Sequence, residues 1–146
     1  MNEKVFESVV GRLPMYVCTD AVLDSKAWER RACGCGRVYP ALVPRSQSSL
    51  NRCDSGVHGK VITGLSDIDM IFLDAFEDEY EKEILQVQCQ SGEKRSCYVY
   101  VYREIESWVT DQPWSYDSFV AEHLEDYLEG CRRFREEMME DHPETN

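Results

Sequence analysis

No uninterrupted apolar run of about eighteen residues occurs in this chain, so no segment is patterned to cross a bilayer as a helix. The first residues carry acids and an arginine where a secretory leader would have an unbroken apolar stretch, which argues against a signal peptide. Positive charge is also scarce: 16 Lys and Arg stand against 28 Asp and Glu, a formal net charge of −12. Phosphate backbones and anionic lipid both repel such a surface, so neither nucleic acid nor a membrane is expected as a main partner. The 7 cysteines are an odd number, and with no leader they read as reduced thiols of a soluble, cytoplasmic protein.

What is present fits one folded domain. At 146 residues, 42% hydrophobic and 11% aromatic, the chain can build a real core, with little to spare. The acids concentrate between Asp74 and Glu83 and again between Asp117 and Asp141. Val5, Val9 and Leu13 recur at intervals of four, which predicts a short amphipathic helix closed by Pro14. Gly36 to Pro44 reads as extended, with Pro40 at a bend or an edge, and Ser46 to Gly56 as a polar loop. Val57 to Thr63 alternates as a strand that Gly64 turns into a helix. Ile84 to Cys89 alternates too, with Leu85, Val87 and Cys89 on one face. The Ser91-Gly92-Glu93-Lys94 turn then returns it as a partner strand from Cys97 to Arg103.

Tyr98, Tyr100 and Tyr102 share one face of that return strand. A tyrosine row can line a pocket, but the expectation here is packing against a helix with the hydroxyls reaching water. Trp108, Pro113 and Trp114 read as a linker to a final helix capped by Ser115 or Asp117. Phe119, Leu124, Tyr127, Leu128, Cys131 and Phe134 recur along that helix, and His123 falls on the same stripe as a core or boundary residue. Arg132, Arg133 and Arg135 are placed to complement the helix dipole, and a polar tail follows from His142. Cys89, Cys97 and Cys131 occupy apolar positions and read as small core residues. Cys33, Cys35, Cys53 and His58 are four soft ligands, but C-x-C followed by C-x4-H matches no common zinc site, and no metal is assigned.

The segment with most chemical promise is Leu73-Asp74-Ala75-Phe76-Glu77-Asp78-Glu79-Tyr80. Upstream, Ser66-Asp67-Ile68-Asp69 reads as a capping box opening a short helix whose apolar side would be Ile68, Met70, Ile71 and Phe76. Glu77 falls about three turns in, where that helix runs out. Between Phe76 and Tyr80 its carboxyl can sit half in a pocket, where apolar neighbours raise its pKa to a useful range. The alternative is one more solvated acid in an acid-rich segment.

Gly59-Lys60-Val61-Ile62-Thr63-Gly64-Leu65-Ser66-Asp67, followed by Leu73 to Glu77 and Tyr80, resembles the gamma-glutamylcyclotransferase-like family, and most of all its plant branch named for avirulence-induced genes. Gly36-Arg37-Val38-Tyr39-Pro40-Ala41-Leu42-Val43-Pro44 and the strand from Cys97 to Arg103 are similar to that branch too. The resemblance is good over residues 36–103 and looser to about 138. It implies a mixed α+β fold: a small gamma-glutamylcyclotransferase-like β-barrel with flanking helices and a C-terminal helix. On this reading residues 1–104 form that domain and residues 105–146 its C-terminal helix and tail.

The resemblance also implies a reaction. The α-amine of a small γ-glutamyl substrate attacks its own γ-carbonyl, closing 5-oxoproline and releasing an amine, with no cofactor. By motif position Glu77 is the general acid/base, and Tyr80 is the nearby candidate for substrate contact. One family feature is missing. Members begin with a strand ending in a Tyr-Gly-Ser/Thr-Leu type loop whose backbone N–H groups hold the substrate, and no Tyr-Gly pair occurs here. The start reads as a family member without that strand and loop, and residues 15–35 match poorly. Two functional readings follow: a gamma-glutamylcyclotransferase, or a non-catalytic remnant whose open edge and acidic last helix bind a protein partner. An acidic zinc-binding module is a third.

Overall fold

The computed structural model describes residues 1–13, 16–23, 27–45, 56–102 and 108–141. Helix α1 spans Glu3–Val10, begins where the Asn2 side chain accepts from the Lys4 N–H, and buries Val5, Phe6, Val9 and Val10. It ends at Gly11, not at Pro14, and leaves Leu13 57% exposed. Gly11 takes φ 86, which costs glycine little, and a Cβ there would land on the Arg135 guanidinium. Pro14 lies outside the described residues.

Seven strands follow in two antiparallel groups among the described residues: β1 (Tyr16–Leu23), β2 (Trp28–Cys33), β3 (Pro40–Pro44), β4 (Val57–Thr63), β5 (Glu81–Cys89), β6 (Lys94–Val101) and β7 (Val109–Pro113). They order as β4-β1-β5-β6 and β3-β2-β7. The β5–β6 hairpin has the expected faces: Val87 and Cys89 are buried, Ile84 is 66% exposed, and Gly92 turns the chain at φ 85. Pro40 opens β3 as its first residue, where a missing N–H is tolerated. β1 and β2 are regular strands in a stretch whose pattern predicted little. The supposed linker before the last helix is also a strand, because Val109 and Pro113 pair with Cys33 and Arg31 of β2. Most of the Ser46–Gly56 loop, and Arg103, lie outside the described residues.

The two sheets curl toward one another as a half-barrel. Ala21, Leu23, Val57, Val61, Val87 and Val101 of the larger sheet form one core with Trp28 of the smaller. Along one seam the Tyr102 N–H donates to the Leu42 carbonyl at 2.8 Å. Along the other, the Arg30 guanidinium donates to the His58 carbonyl in β4.

Helix α2 (Asp67–Phe76) has the expected capping box: the Asp69 N–H donates to Ser66 Oγ at 3.2 Å and the Ser66 N–H to Asp69 Oδ2 at 2.7 Å. Its buried stripe differs from the prediction. Asp69, Phe72 and Leu73 are buried and Met70 and Phe76 half-buried, whereas Ile68 and Ile71 are 43% and 46% exposed. The i, i+3, i+4, i+7 face begins at Asp69, and a carboxylate can start an apolar stripe here because Arg12 pairs with it.

The last segment is two helices, α3 (Tyr116–Glu122), capped by Ser115, and α4 (Leu124–Asp141). His123 sits between them at φ −129 with an exposed side chain, so it is not a core residue. Phe119, Leu124, Leu128 and Cys131 join α1 and α2 in a second core. Helix α4 outruns its arginines: Arg132 pairs with Glu129 at 2.8 Å in mid-helix, and no base falls in the last turn to offset the dipole. The tail from His142 lies outside the described residues. Of the tyrosine row, Tyr100 packs against the helical core as expected but Tyr102 packs against β3 and β7, and the hydroxyls of both meet acids. Tyr100 donates to Asp74 at 2.6 Å and Tyr102 to Glu79 at 3.2 Å, while Tyr98 stays exposed.

Burial alone would raise the Asp69 pKa, but hydrogen bonds from Arg12 and Ser66 hold it below the usual carboxylate range. Its stabilising contribution is therefore complete above the unfolded-state pKa and is lost as pH falls through the folded one. Asp69→Ala should cost about 1–3 kcal/mol at neutral pH. In paired urea titrations, the gap from the parent should close as pH drops below about 4.

Candidate functional site

The ladder of α2 ends at Glu77. Its N–H donates to the Leu73 carbonyl at 3.0 Å, its φ of −102 leaves the helical region, and its carbonyl accepts from the Tyr80 N–H at 2.9 Å. Two acids nearby point to the strands and are satisfied. Asp74 accepts from Tyr100 at 2.6 Å and from Lys82 at 2.5 Å. Glu79 accepts from Tyr39 at 3.0 Å and Tyr102 at 3.2 Å, with Arg37 at 3.5 Å. Although burial pushes the other way, these partners hold both carboxyls below their ordinary pKa.

Glu77 has the opposite surroundings. It lines a cleft of about 1210 Å³ between the sheets and helices, with Phe76, Tyr80, Tyr100, Trp114 and Tyr127 among its walls. Among the described residues, no side chain hydrogen-bonds its carboxyl. Burial pushes its pKa up to about 7, against a smaller downward pull from the Met1 ammonium. The helix adds to this, since its exposed C-terminal carbonyls disfavour a nearby anion. The residue is half-buried, so its carboxyl is both desolvated and reachable from the cleft.

Tyr80 shares the cleft, but its hydroxyl makes no hydrogen bond to the Glu77 carboxyl. Its hydroxyl donates to the Pro40 carbonyl at 2.9 Å and its ring lies 4.3 Å from that of Tyr102. Tyr80 is thus a wall residue tied to β3. Burial raises its hydroxyl pKa far out of the working range, so it stays a neutral phenol.

Two residues of the cleft did not stand out in the sequence as site residues. Tyr127 was legible only as part of the α4 stripe. Arg30 follows Trp28 by two residues in β2, so the alternation that turns Trp28 into the core turns Arg30 inward as well. Its guanidinium lies 5.8 Å from the Trp114 ring. For the zinc alternative, Cys53 lies outside the described residues, Cys35 and His58 are exposed, and no group of three or more His, Cys, Asp or Glu among the described residues is arranged to hold a metal. Cys89 and Cys131 are buried and Cys97 half-buried, as core thiols should be.

A curled half-barrel with helices against it, with the carboxyl of Glu77 desolvated in its cleft, defines a small mixed α+β domain. The chain belongs to the family described as "Gamma-glutamyl cyclotransferase, AIG2-like", whose model matches residues 12–118. It is 34% identical to AIG2-like protein D of Arabidopsis thaliana over 106 residues, which cover 70% of this chain and 65% of that protein. It is 28% identical to AIG2-like protein C of the same plant over 103 residues, covering 69% of this chain and 56% of that one. The chain thus spans less than two thirds of the length of either relative. No solved structure matches it. No helix among the described residues is long and apolar enough to cross a membrane.

The Glu77 carboxyl should titrate near pH 7, as followed by ¹³C NMR with Glu77→Gln as the assignment control. Because the folded state raises this pKa, it binds the extra proton, and stability falls as pH rises from the unfolded value through about 7. Glu77→Gln should therefore be more stable than the parent above pH 7, by on the order of 1–3 kcal/mol.

Proposed function

We propose that the protein is a gamma-glutamylcyclotransferase, an acyl-transferring enzyme that converts a small γ-glutamyl compound to 5-oxoproline and a free amine. The observation that carries this reading is Glu77: a carboxyl in a mostly apolar cleft with its pKa up to about 7 and no competing hydrogen bond among the described residues. Such a group is half ionised at neutral pH and can take and return a proton.

The reaction asks for that ability twice. As the substrate α-amine attacks the γ-carbonyl carbon, a C–N bond forms and Glu77 accepts a proton from the attacking nitrogen. As the tetrahedral intermediate collapses, the bond to the leaving nitrogen breaks and Glu77 returns the proton there. Nucleophile and electrophile belong to one molecule, so ring closure supplies the proximity and no cofactor is required. Arg30, lining the same cleft, brings positive charge that suits the substrate α-carboxylate. Tyr80 closes the wall beside Glu77 and meets the substrate through its ring, since its hydroxyl is given to Pro40. The reading places the protein in the cytoplasm.

The second reading, a binding module, draws on the exposed Ile84 and Tyr98, which are direct cross-strand partners on β5 and β6 and 66% and 61% exposed. Release of 5-oxoproline from a panel of γ-glutamyl amino acids and γ-glutamyl amines decides between the two. The parent should turn over at least one member, with kcat/KM rising with pH through about 7 as Glu77 ionises. Glu77→Gln should lose about 10²–10⁴ in rate. A folded parent inactive on the whole panel would reject the enzyme and favour the binding module.

A further inference from the structure

Cyclisation places negative charge on the γ-carbonyl oxygen in the transition state, and a fixed donor aimed at that oxygen is worth more than one that must reorganise. Resting on the reading above, we propose that the hydroxyl of Tyr127, on α4, is that donor.

Tyr127 lines the same cleft as Glu77. Its ring is held on three sides by aromatic neighbours: Phe119 at 5.4 Å edge-on, Phe76 at 6.3 Å edge-on and Tyr39 at 6.3 Å. Phe76 immediately precedes Glu77, so one ring is packed against both the donor and the segment that carries the base. The position of the hydroxyl is therefore set by packing, with no hydrogen bond to it among the described residues.

Its lack of a partner distinguishes it from the other inner tyrosines. Tyr39 and Tyr102 donate to Glu79, Tyr80 to the Pro40 carbonyl and Tyr100 to Asp74. The Tyr127 hydroxyl makes no hydrogen bond to any described residue, yet it is close enough to feel the charge of Glu77. A phenol that packs in an aromatic cluster without a partner leaves its donor for a ligand. Burial raises its pKa well out of the working range, so it stays protonated wherever Glu77 is ionised. Donor and base are then both ready at the same pH.

The matched family region ends at residue 118, so this donor comes from the segment beyond it. Helix α4 is tied to α1 and α2 through Leu124, Leu128 and Cys131, which makes its position as fixed as that of the sheet. A donor carried on a packed helix holds its geometry better than one on a loop.

Tyr127→Phe removes the oxygen and keeps the ring, so the aromatic cluster and the fold should persist. With the best substrate of the panel, kcat should fall about 10²–10³-fold with KM nearly unchanged. The Glu77 titration near pH 7 should survive in Tyr127→Phe, which separates loss of a donor from disturbance of the base. If the parent turns over and Tyr127→Phe keeps its kcat, the donor role is overturned while the enzyme stands. A raised KM at constant kcat also overturns it, because the contact would then be made equally in the ground state. A parent inactive on every substrate, with the Glu77 titration intact, removes the enzyme reading and this role with it.

Discussion

The buried Asp69 carboxylate anchors the helix on which the site depends. Two groups meet it, the Ser66 N–H and the Arg12 guanidinium, while Ser66 Oγ accepts from the Asp69 N–H in the reciprocal cap. Without them a charge would stand at the head of the apolar stripe of α2, and the helix could not lie against α1 and α4 with Phe72 and Leu73 inward. With its start pinned, ten residues of helix put Glu77 at a fixed point in the cleft.

At the far end of that helix four carboxylates lie within six residues, and three of them, Asp74, Glu77 and Glu79, are set apart by their surroundings. Asp74 and Glu79 are tied to strands by tyrosine hydroxyls and bases, which lower their pKa and bind α2 to both sheets. Glu77, between them, faces away from those partners and is raised. The flanking pairs keep α2 in place, so that the middle residue can remain without one. Satisfied acids hold the unsatisfied one in position, and the desolvation cost of Glu77 is offset by packing elsewhere.

Much of this was legible in the sequence where a local rule was enough. The capping box at Ser66, the end of its helix near Glu77, the β5–β6 hairpin and the core cysteines each follow from a few adjacent residues. Errors arose where a distant partner altered the local rule. The stripe of α2 was misjudged because Arg12, far away in sequence, lets Asp69 be buried. The strand Val109–Pro113 was taken for a linker because only its pairing with β2 makes it regular. His123 lay on an ideal helical stripe, but a break between two helices turned it outward. Glu77 was accessible to reasoning because its apolar neighbours adjoin it in sequence. Arg30 and Tyr127 were not, because their relation to Glu77 exists only once β2 and α4 have closed around the cleft.

The two seams of the half-barrel differ in kind, and this bears on how the interior is reached. The Tyr102–Leu42 seam is stitched backbone to backbone, with a length set by covalent geometry. The opposite seam is bridged by the guanidinium of Arg30, on a long flexible stem, reaching the His58 carbonyl. One margin therefore behaves as the spine of a book and the other as its clasp. Widening the interior by an ångström at the spine would break a sheet-like bond, whereas at the clasp it needs only a change of rotamer. Compliance of the interior therefore lies on the Arg30 side and rigidity on the other, so that a change of width on the clasp side leaves the end of α2 undisturbed.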